Sequence, residues 1–547
     1  MKRIAHAILF IAGFICILFA LNMILVPKWN NPKSIENIGM SIHEFEDLSI
    51  NPDVFFLGSS HMFDGVSPMR IYENYGVVTY NMATTAQPIE VTYYFVKELF
   101  RKGYRPKLII IDANSLYTTQ QEVKYRVITD LTPININKLD LIRNYYLSHS
   151  TAEMNIDDNI TEMLSFIAPL IRYHMRWDEL GLDDFKKVGP EMYFTQGQVV
   201  HSTINASSVD IDTVNYFANL INENNKRAIW QKQDGCNDVT AYLSDEEYYV
   251  TEALELNKEY ICSIKQLCEL YSCQLMLVKI PVMITPGDYT SSWSLFRHNS
   301  VNSFAQENQI PFVDMTFDEN LVINWNTDTP DGGGHLNLLG AEKVSDFIGE
   351  YIVENYGLER FQCDAYDKKL ILFKKYTDVA HIELDTILTD YLEDIGDMSS
   401  HLMIVMSACN DMSMGLQDEE VMALRKLGLQ TDFDLLEYNY SFISIIDKGE
   451  VRYEGISNKK QFCNTSIDDN EISIESAGYL EGYTGSIKIN GTEYSLNHRG
   501  INFVIYDKDS GLVLDRAYCD TFLPDHEVVH NVGKSLYEYQ EYLLGRK

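Results

Sequence analysis

The sequence predicts an α/β protein opened by an apolar N-terminal helix and closed by a separate mixed α/β domain. Three observations predict it. Short continuous apolar runs alternate with helical stretches through the first 360 residues. A nearly unbroken apolar run opens the chain, and a new set of strands separated by turn dipeptides begins near residue 365. A chain of 547 residues allows two to four domains of about 100–200 residues each.

Met1-Lys2-Arg3 precedes the apolar run Ile4 to Val26, long enough to cross a bilayer core of about 30 Å. Pro27, Lys28 and Trp29 read as a helix stop and interfacial anchors. The run exceeds the apolar part of a signal peptide and lacks a small-x-small cleavage site after it, so residues 1–29 read as an uncleaved, single-pass anchor. Lys2 and Arg3 put the N-terminus in the cytoplasm and everything beyond about residue 30 outside the cell membrane.

Residues 53–58, 107–112, 274–281 and 310–314 are apolar runs of the kind that form parallel strands buried on both faces. Helical patterns at 90–101, 245–270, 299–307 and 338–356 lie between and after them, which argues for a doubly wound sheet over 30–360. Residues of about 120–245 break the rhythm and read as a mostly helical insertion. The domain at 365–547 reads as strands at 402–407, 441–446, 471–475, 485–489 and 501–506, with helices at 381–396, 417–427 and 528–544.

The first strand ends in Gly58-Ser59-Ser60-His61. A turn there exposes a serine hydroxyl at the carboxyl edge of the sheet, where open α/β folds place their sites. The amides of a following helix would favour an oxyanion. A serine after a strand is also an ordinary helix cap, so this turn alone decides little. The stretch Asp331-Gly-Gly-Gly-His335-Leu-Asn supplies the partner: a carboxylate just before a histidine can fix its tautomer, and the free nitrogen can deprotonate a serine. Asp331 and Asp328 both stand near enough to serve.

With those two blocks in place, residues of about 50–357 resemble the SGNH hydrolase superfamily, in the form taken by its surface-polysaccharide O-acetylation and D-alanylation branch. The resemblance implies a flavodoxin-like three-layer domain with Ser60 as nucleophile and His335 as base. It implies an oxyanion hole from the Ser60 amide, Ala86 in the block Asn81-Met-Ala-Thr-Thr-Ala86 where the family has glycine, and Asn114 after the strand 107–112. The family's aspartate stands three residues before the histidine, and here that position is Gly332. Asp331 is the preferred third member, with the extra glycine bulged out. His61 reads as a ligand contact or a structural histidine. In the insertion, Arg172, Arg176 and Trp177 combine basic and aromatic side chains suited to sugar, with Trp293, Arg297 and His298 as further candidates.

Residues 471–522 resemble the interleukin-like EMT inducer domain, with the order of the remaining segments pointing to a circularly permuted version over about 375–547. That resemblance implies a carbohydrate-binding module, in which Arg499, Asn502 and Asp520 serve either the ligand or the turns. Together these readings give a membrane-anchored O-acyl (acetyl) transferase or esterase of cell-surface glycan in the bacterial envelope, supplied with acyl groups by a multi-pass membrane acyltransferase. The alternatives are a non-catalytic glycan-binding or assembly protein and D-alanyl transfer to teichoic acid.

The net charge of −35 argues against a nucleic-acid partner. The nine cysteines contain no CxxC, so neither a metal nor another cofactor is expected. A disulfide framework is not expected, although a bridge from Cys409 or Cys463 to Cys519 stays open.

Overall fold

In the first unit, β1 (Val54–Leu57), β3 (Leu108–Asp112) and β4 (Gln274–Lys279) bury nearly every side chain, as strands covered on both faces must. With β2 (Thr79–Asn81) and β5 (Phe312–Asp314) they form one parallel sheet in the order β2-β1-β3-β4-β5. This 2-1-3-4-5 order is the flavodoxin-like doubly wound arrangement. The structure is a computed structural model. It describes residues 2–29, 42, 45, 48, 50–118, 121–149, 156–185, 194–206, 245–283, 293–318, 320–358, 361–412, 415–433, 438–531, 533 and 535–545.

Alternation sorts the strand side chains between two cores. Phe55, Leu57, Ile109, Ile111 and Leu277 pack with α4 (Ile89–Lys102), α9 (Asp245–Leu270) and α10 (Trp293–Glu307). Val54, Phe56, Ile110, Met276 and Val278 pack with α2 (Ser60–Gly65), α3 (Pro68–Tyr75) and α11 (Leu338–Tyr356). Between β3 and α9 the insertion holds α5 (Glu122–Leu131), α6 (Ile136–His149), α7 (Ile156–Ile167) and the single turn α8 (Leu170–Tyr173). Its stretch 207–244 lies outside the described residues. At the N-terminus, α1 (Lys2–Leu25) has an apolar span, Ile4–Leu25, with a mean hydropathy of 2.8, long and apolar enough to cross a membrane or to be a signal sequence.

The chain divides into two compact units, residues 1–199 with 205–369, and residues 200–204 with 370–547. The helix α12 (Asp364–Leu384) carries the boundary. The second unit is built on a ten-stranded sheet. Its path runs β12 (Thr492–Glu493), β11 (Thr484–Ile489), β10 (Asn470–Gly478), β6 (Met403–Asn410), β13 (Gly500–Asp507), β14 (Leu512–Cys519) and β15 (Val528–His530). Off this path, β7 (Ser441–Asp447) pairs with β6 and β8 (Glu450–Ser457), and β9 (Gln461–Ile467) pairs with β10. One face of β6 and β13 packs with α12, α13 (Leu388–Met398), α14 (Asp418–Lys426) and α15 (Ser535–Leu543). The other face packs with Ile443, Ile472 and Ile487.

The helix expected over 381–396 is broken at 385–387. There the chain extends to bond the 527–530 segment, with Val528 N–H donating to the Thr386 carbonyl at 3.0 Å and an Ile387–Glu527 bridge. The same pairing makes 528–530 a strand on β14, so the last helix starts at Ser535 rather than 528. The eight described cysteines are free thiols, Cys409, Cys463 and Cys519 among them.

Burial raises the Glu383 carboxyl to about 7, and burial with the Asp394 charge raises Asp385 to about 7. Ordinary carboxyls titrate near about 4, so both hold their protons more tightly folded than unfolded. Their contribution to stability is present below about pH 4 and lost as pH rises through about 7. Hydrogen exchange at β6 should therefore report a stability that falls between about pH 4 and about pH 7. The substitution Asp385→Asn should flatten that fall, and an unchanged slope would overturn the assignment.

Candidate active site

The site begins where β1 meets β3. Gly58 has φ +152°, in the region glycine favours, and a Cβ there would lie 2.5 Å from the Asp112 Cβ. Removing that atom lets the β1–α2 turn press against the end of β3. The loop after β2 comes alongside, with Thr84 N–H donating to the Gly58 carbonyl at 3.1 Å. Asn81 Nδ2 donates to the Met62 carbonyl at 2.8 Å and the Val66 carbonyl at 3.2 Å, holding the far end of α2.

Ser60 is the first residue of α2 and is 9% exposed. Its Oγ stands 2.8 Å from His335 Nε2, and His335 Nδ1 stands 2.6 Å from Asp331 Oδ2. The other Asp331 oxygen accepts from the Gly334 amide at 3.0 Å and the His335 amide at 2.9 Å. Gly332 (φ +84°) and Gly333 (φ +115°) make the turn that brings a carboxylate four residues back onto the ring. A Cβ on Gly332 would meet nothing within 4 Å, so this glycine borders open space. Partial burial works to raise the Asp331 carboxyl, but the hydrogen bonds from His335 and Gly334 outweigh it and hold it below its ordinary value.

Asp328 is excluded from this arrangement by its own partners. It is 1% exposed, and its Oδ2 pairs with Lys343 Nζ at 2.6 Å and accepts from the Asn324 amide at 2.7 Å.

A second chain of hydrogen bonds lies beside the first. Ser59 Oγ donates to Asp112 Oδ2 at 2.7 Å and stands 3.1 Å from His61 Nδ1. The His61 ring stacks on His335, with centroids 5.0 Å apart and planes 24° from parallel. With the Ser59 proton on the carboxylate, His61 Nδ1 is placed to donate to the Ser59 oxygen. Burial pushes the Asp112 carboxyl up to about 6, against the bonds from Ser59 and Asn114, so this polarity holds above about pH 6. Ser59 looks like a helix cap in the sequence and Asp112 like a strand end, and only the fold brings them together.

Ala86 has φ +46°, a left-handed conformation costing a non-glycine residue about 1 kcal/mol. Asn114 sits in the 3-10 turn Ala113–Tyr117 after β3, and its Nδ2 donates to the Ile280 carbonyl at 3.4 Å.

Other sequence candidates are engaged elsewhere. Arg172 pairs with Glu122 at 3.1 Å and Glu162 at 3.2 Å. Arg176 bonds the Leu25 carbonyl at the end of α1 and Asp184, and Trp177 beside it is exposed. His298 Nδ1 lies 2.8 Å from Asp314, while the side chains of Trp293 and Arg297 lie outside the described residues. In the second unit Arg499 forms a bidentate pair with Asp520, and buried Asn502 bonds the His498 amide and carbonyl, so all three support turns. Among the described residues no group of side chains could hold a metal ion.

No family model and no curated protein matches the chain. Among solved structures, a candidate acylhydrolase from Bacteroides fragilis NCTC 9343 aligns at 10% identity over 57% of this chain and 93% of its own, with a TM-score of 0.24.

Gly58→Ala should destabilise the first unit by about 2 kcal/mol or more, because it adds both a strained φ and an overlap with Asp112. Denaturant unfolding would measure it, and a wild-type midpoint would show that β1 and β3 can part without cost.

Proposed function

We propose that the first unit is a serine acyl-enzyme: an O-acyl (acetyl) transferase or esterase that works on cell-surface polysaccharide while anchored by α1. The observation that carries this reading is the continuous chain Ser60–His335–Asp331, at 2.8 and 2.6 Å. Ser60 Oγ attacks the acyl carbonyl as His335 Nε2 takes its proton. The ring becomes an imidazolium that Asp331 stabilises. The amides of Ser60 and Ala86 receive the oxyanion with Asn114 Nδ2, which carries a second hydrogen beyond its long bond to Ile280. Collapse expels the donor alcohol with the proton from His335. A sugar hydroxyl or water then gives its proton to His335 as it attacks the acyl group, and His335 returns that proton to Ser60 Oγ as the Oγ–acyl bond breaks. His61, stacked on the His335 ring, would pack beside that incoming hydroxyl.

The anchor reading puts Lys2 and Arg3 in the cytoplasm and both units outside, with a multi-pass membrane acyltransferase as acyl donor. The glycan role of the second unit, the part that resembles the interleukin-like EMT inducer domain, is supported by a cavity of about 360 Å³ there. Tyr539, Tyr542, His381 and several aspartates line it, aromatic and carboxylate groups of the sort that hold sugars. The same triad would serve D-alanyl transfer. The non-catalytic alternative loses its main support, because the displaced aspartate still reaches the histidine.

Two experiments test this. Ser60→Ala and His335→Ala should each cut turnover of a small acetyl ester by about 10³-fold or more. Asp331→Asn should cost about 10²–10⁴-fold through the wrong tautomer, while Asp328→Asn keeps turnover within a few-fold. Mass spectrometry of a trapped acetyl adduct should place it on Ser60, and wild-type turnover in Ser60→Ala would end the proposal. For the second unit, Tyr542→Ala should raise the apparent KM for polymer and leave small-ester turnover unchanged. Equal loss on both substrates would remove the glycan role.

A further inference from the structure

α1 enters the first unit without a tether. Most side chains from Ile4 to Met23 are exposed, whereas Leu25 and Val26 are each only 6% exposed, already part of the folded body. The end of the helix is held by the insertion. Arg176 Nη1 donates to the Leu25 carbonyl at 3.0 Å, satisfying a group that a helix terminus otherwise leaves open. Arg176 Nη2 pairs with Asp184 at 2.6 Å, and Asp184 accepts from the Gly181 amide at 2.9 Å. Four residues past the helix, Trp29 Nε1 donates to Asp130 at 3.3 Å, and Tyr173 donates to the same carboxylate at 2.8 Å. Residues 170–185 are thus pinned around the point where α1 meets the unit.

The surface beside that pin is apolar. Ile171, Met175, Trp177, Leu182 and Phe185 are all exposed, Leu182 at 84% and Met175, Trp177 and Phe185 at 64% each. Single exposed hydrophobics are ordinary on a protein surface. Five within fifteen residues, on both sides of an arginine that caps an apolar helix, make an apolar stretch at the end of α1.

The length of α1 fixes where that stretch stands. The 22 residues from Ile4 to Leu25 rise about 33 Å, close to the hydrocarbon thickness of about 30 Å. With α1 across a bilayer, Leu25 lies at the headgroup boundary, and a side chain bonded to its carbonyl lies there too. We propose that residues 171–185 form a membrane foot, seated in the headgroup region, with Trp177, Leu182 and Phe185 at the acyl-chain boundary. This rests on the reading of α1 as a membrane span. The occupant is lipid: the stretch is bonded to the end of the apolar helix α1, and tryptophan and phenylalanine beside aliphatic residues are the side chains that settle at that depth. With span and foot both engaged, the unit is held in one orientation to the membrane instead of swinging on the helix.

The test uses the full chain in nanodiscs of phosphatidylcholine and in discs of the same lipid brominated on its acyl chains, which quench nearby tryptophan. Wild type should lose emission in brominated discs that Trp177→Phe does not lose, and adding Phe185→Trp to that variant should restore a quenched component. Equal quenching in wild type and Trp177→Phe, with no quenched component from Phe185→Trp, overturns the foot and leaves the stretch to a protein partner. Co-elution of the chain with lipid in detergent-free buffer separates the two ideas. If the chain elutes without lipid, the span fails and the foot with it. If it co-elutes and Trp177 is not quenched, the foot alone fails.

Discussion

β1 and β3 run parallel and in register, and at their carboxyl ends the backbone of Gly58 approaches Asp112 so closely that a single added carbon would overlap it. The arrangement of the site follows from that approach. Because the turn is tight, α2 starts at Ser60 at the sheet edge, and Ser59 falls within 2.7 Å of Asp112. Because Ser59 is bonded there, its oxygen faces His61, and His61 lies flat against His335. Two adjacent serines thus head two hydrogen-bond chains, one ending in exposed-loop Asp331 and the other in buried Asp112. The contrast in burial gives the two carboxyls opposite shifts: Asp331 is held down by its donors, and Asp112 is lifted by its surroundings.

The loop that carries His335 shows how spacing and geometry can part company. A motif read as letters treats Asp331 as misplaced by one residue. In three dimensions Gly332 and Gly333 take positive φ, and the loop closes into a turn whose amides at Gly334 and His335 both point to the Asp331 carboxylate. The carboxylate is positioned by the backbone of the residue it serves, so one more or fewer glycine upstream changes the route and not the endpoint. Asp328 could not take its place, since its charge is already matched by Lys343 and its oxygens shape the turn at Asn324.

What was legible in the sequence follows the range of the interactions involved. The strands β1, β3 and β4 and the helices Asp245–Leu270 and Leu338–Tyr356 are set by local apolar pattern, and their bounds can be read nearly to the residue. β2 has three residues, too few for any period to show, yet the loop after it bonds the turn that carries Ser60 through Thr84 N–H and the Gly58 carbonyl. In the second unit β8 and β9 are exposed or half-exposed strands with polar alternation, and they exist because β7 and β10 offer them edges. The break at 385–387 is likewise non-local: it exists because the segment near Val528 pairs there, over 140 residues away. Ser60, His335 and Asp331, which the fold brings within 2.8 and 2.6 Å of one another, each sit in a distinctive short block. Ser59 and Asp112 do not stand out, because each has an adequate local explanation and their meeting spans 53 positions.

The insertion shows the same limit from the other direction. Arg172, Arg176 and Trp177 form the sort of basic-aromatic cluster that suggests sugar binding when read in isolation. In the fold both arginines are spent on structure, Arg172 between two glutamates and Arg176 between Asp184 and the last turn of α1. What remains outward is the apolar part of the cluster. What the arrangement does mechanically is join the apolar helix to the unit at a fixed angle. A helix that runs directly into the folded core, with Leu25 and Val26 buried and no free linker between, supplies that rigidity, because any rocking of the unit would have to break the Arg176–Leu25 and Trp29–Asp130 bonds together.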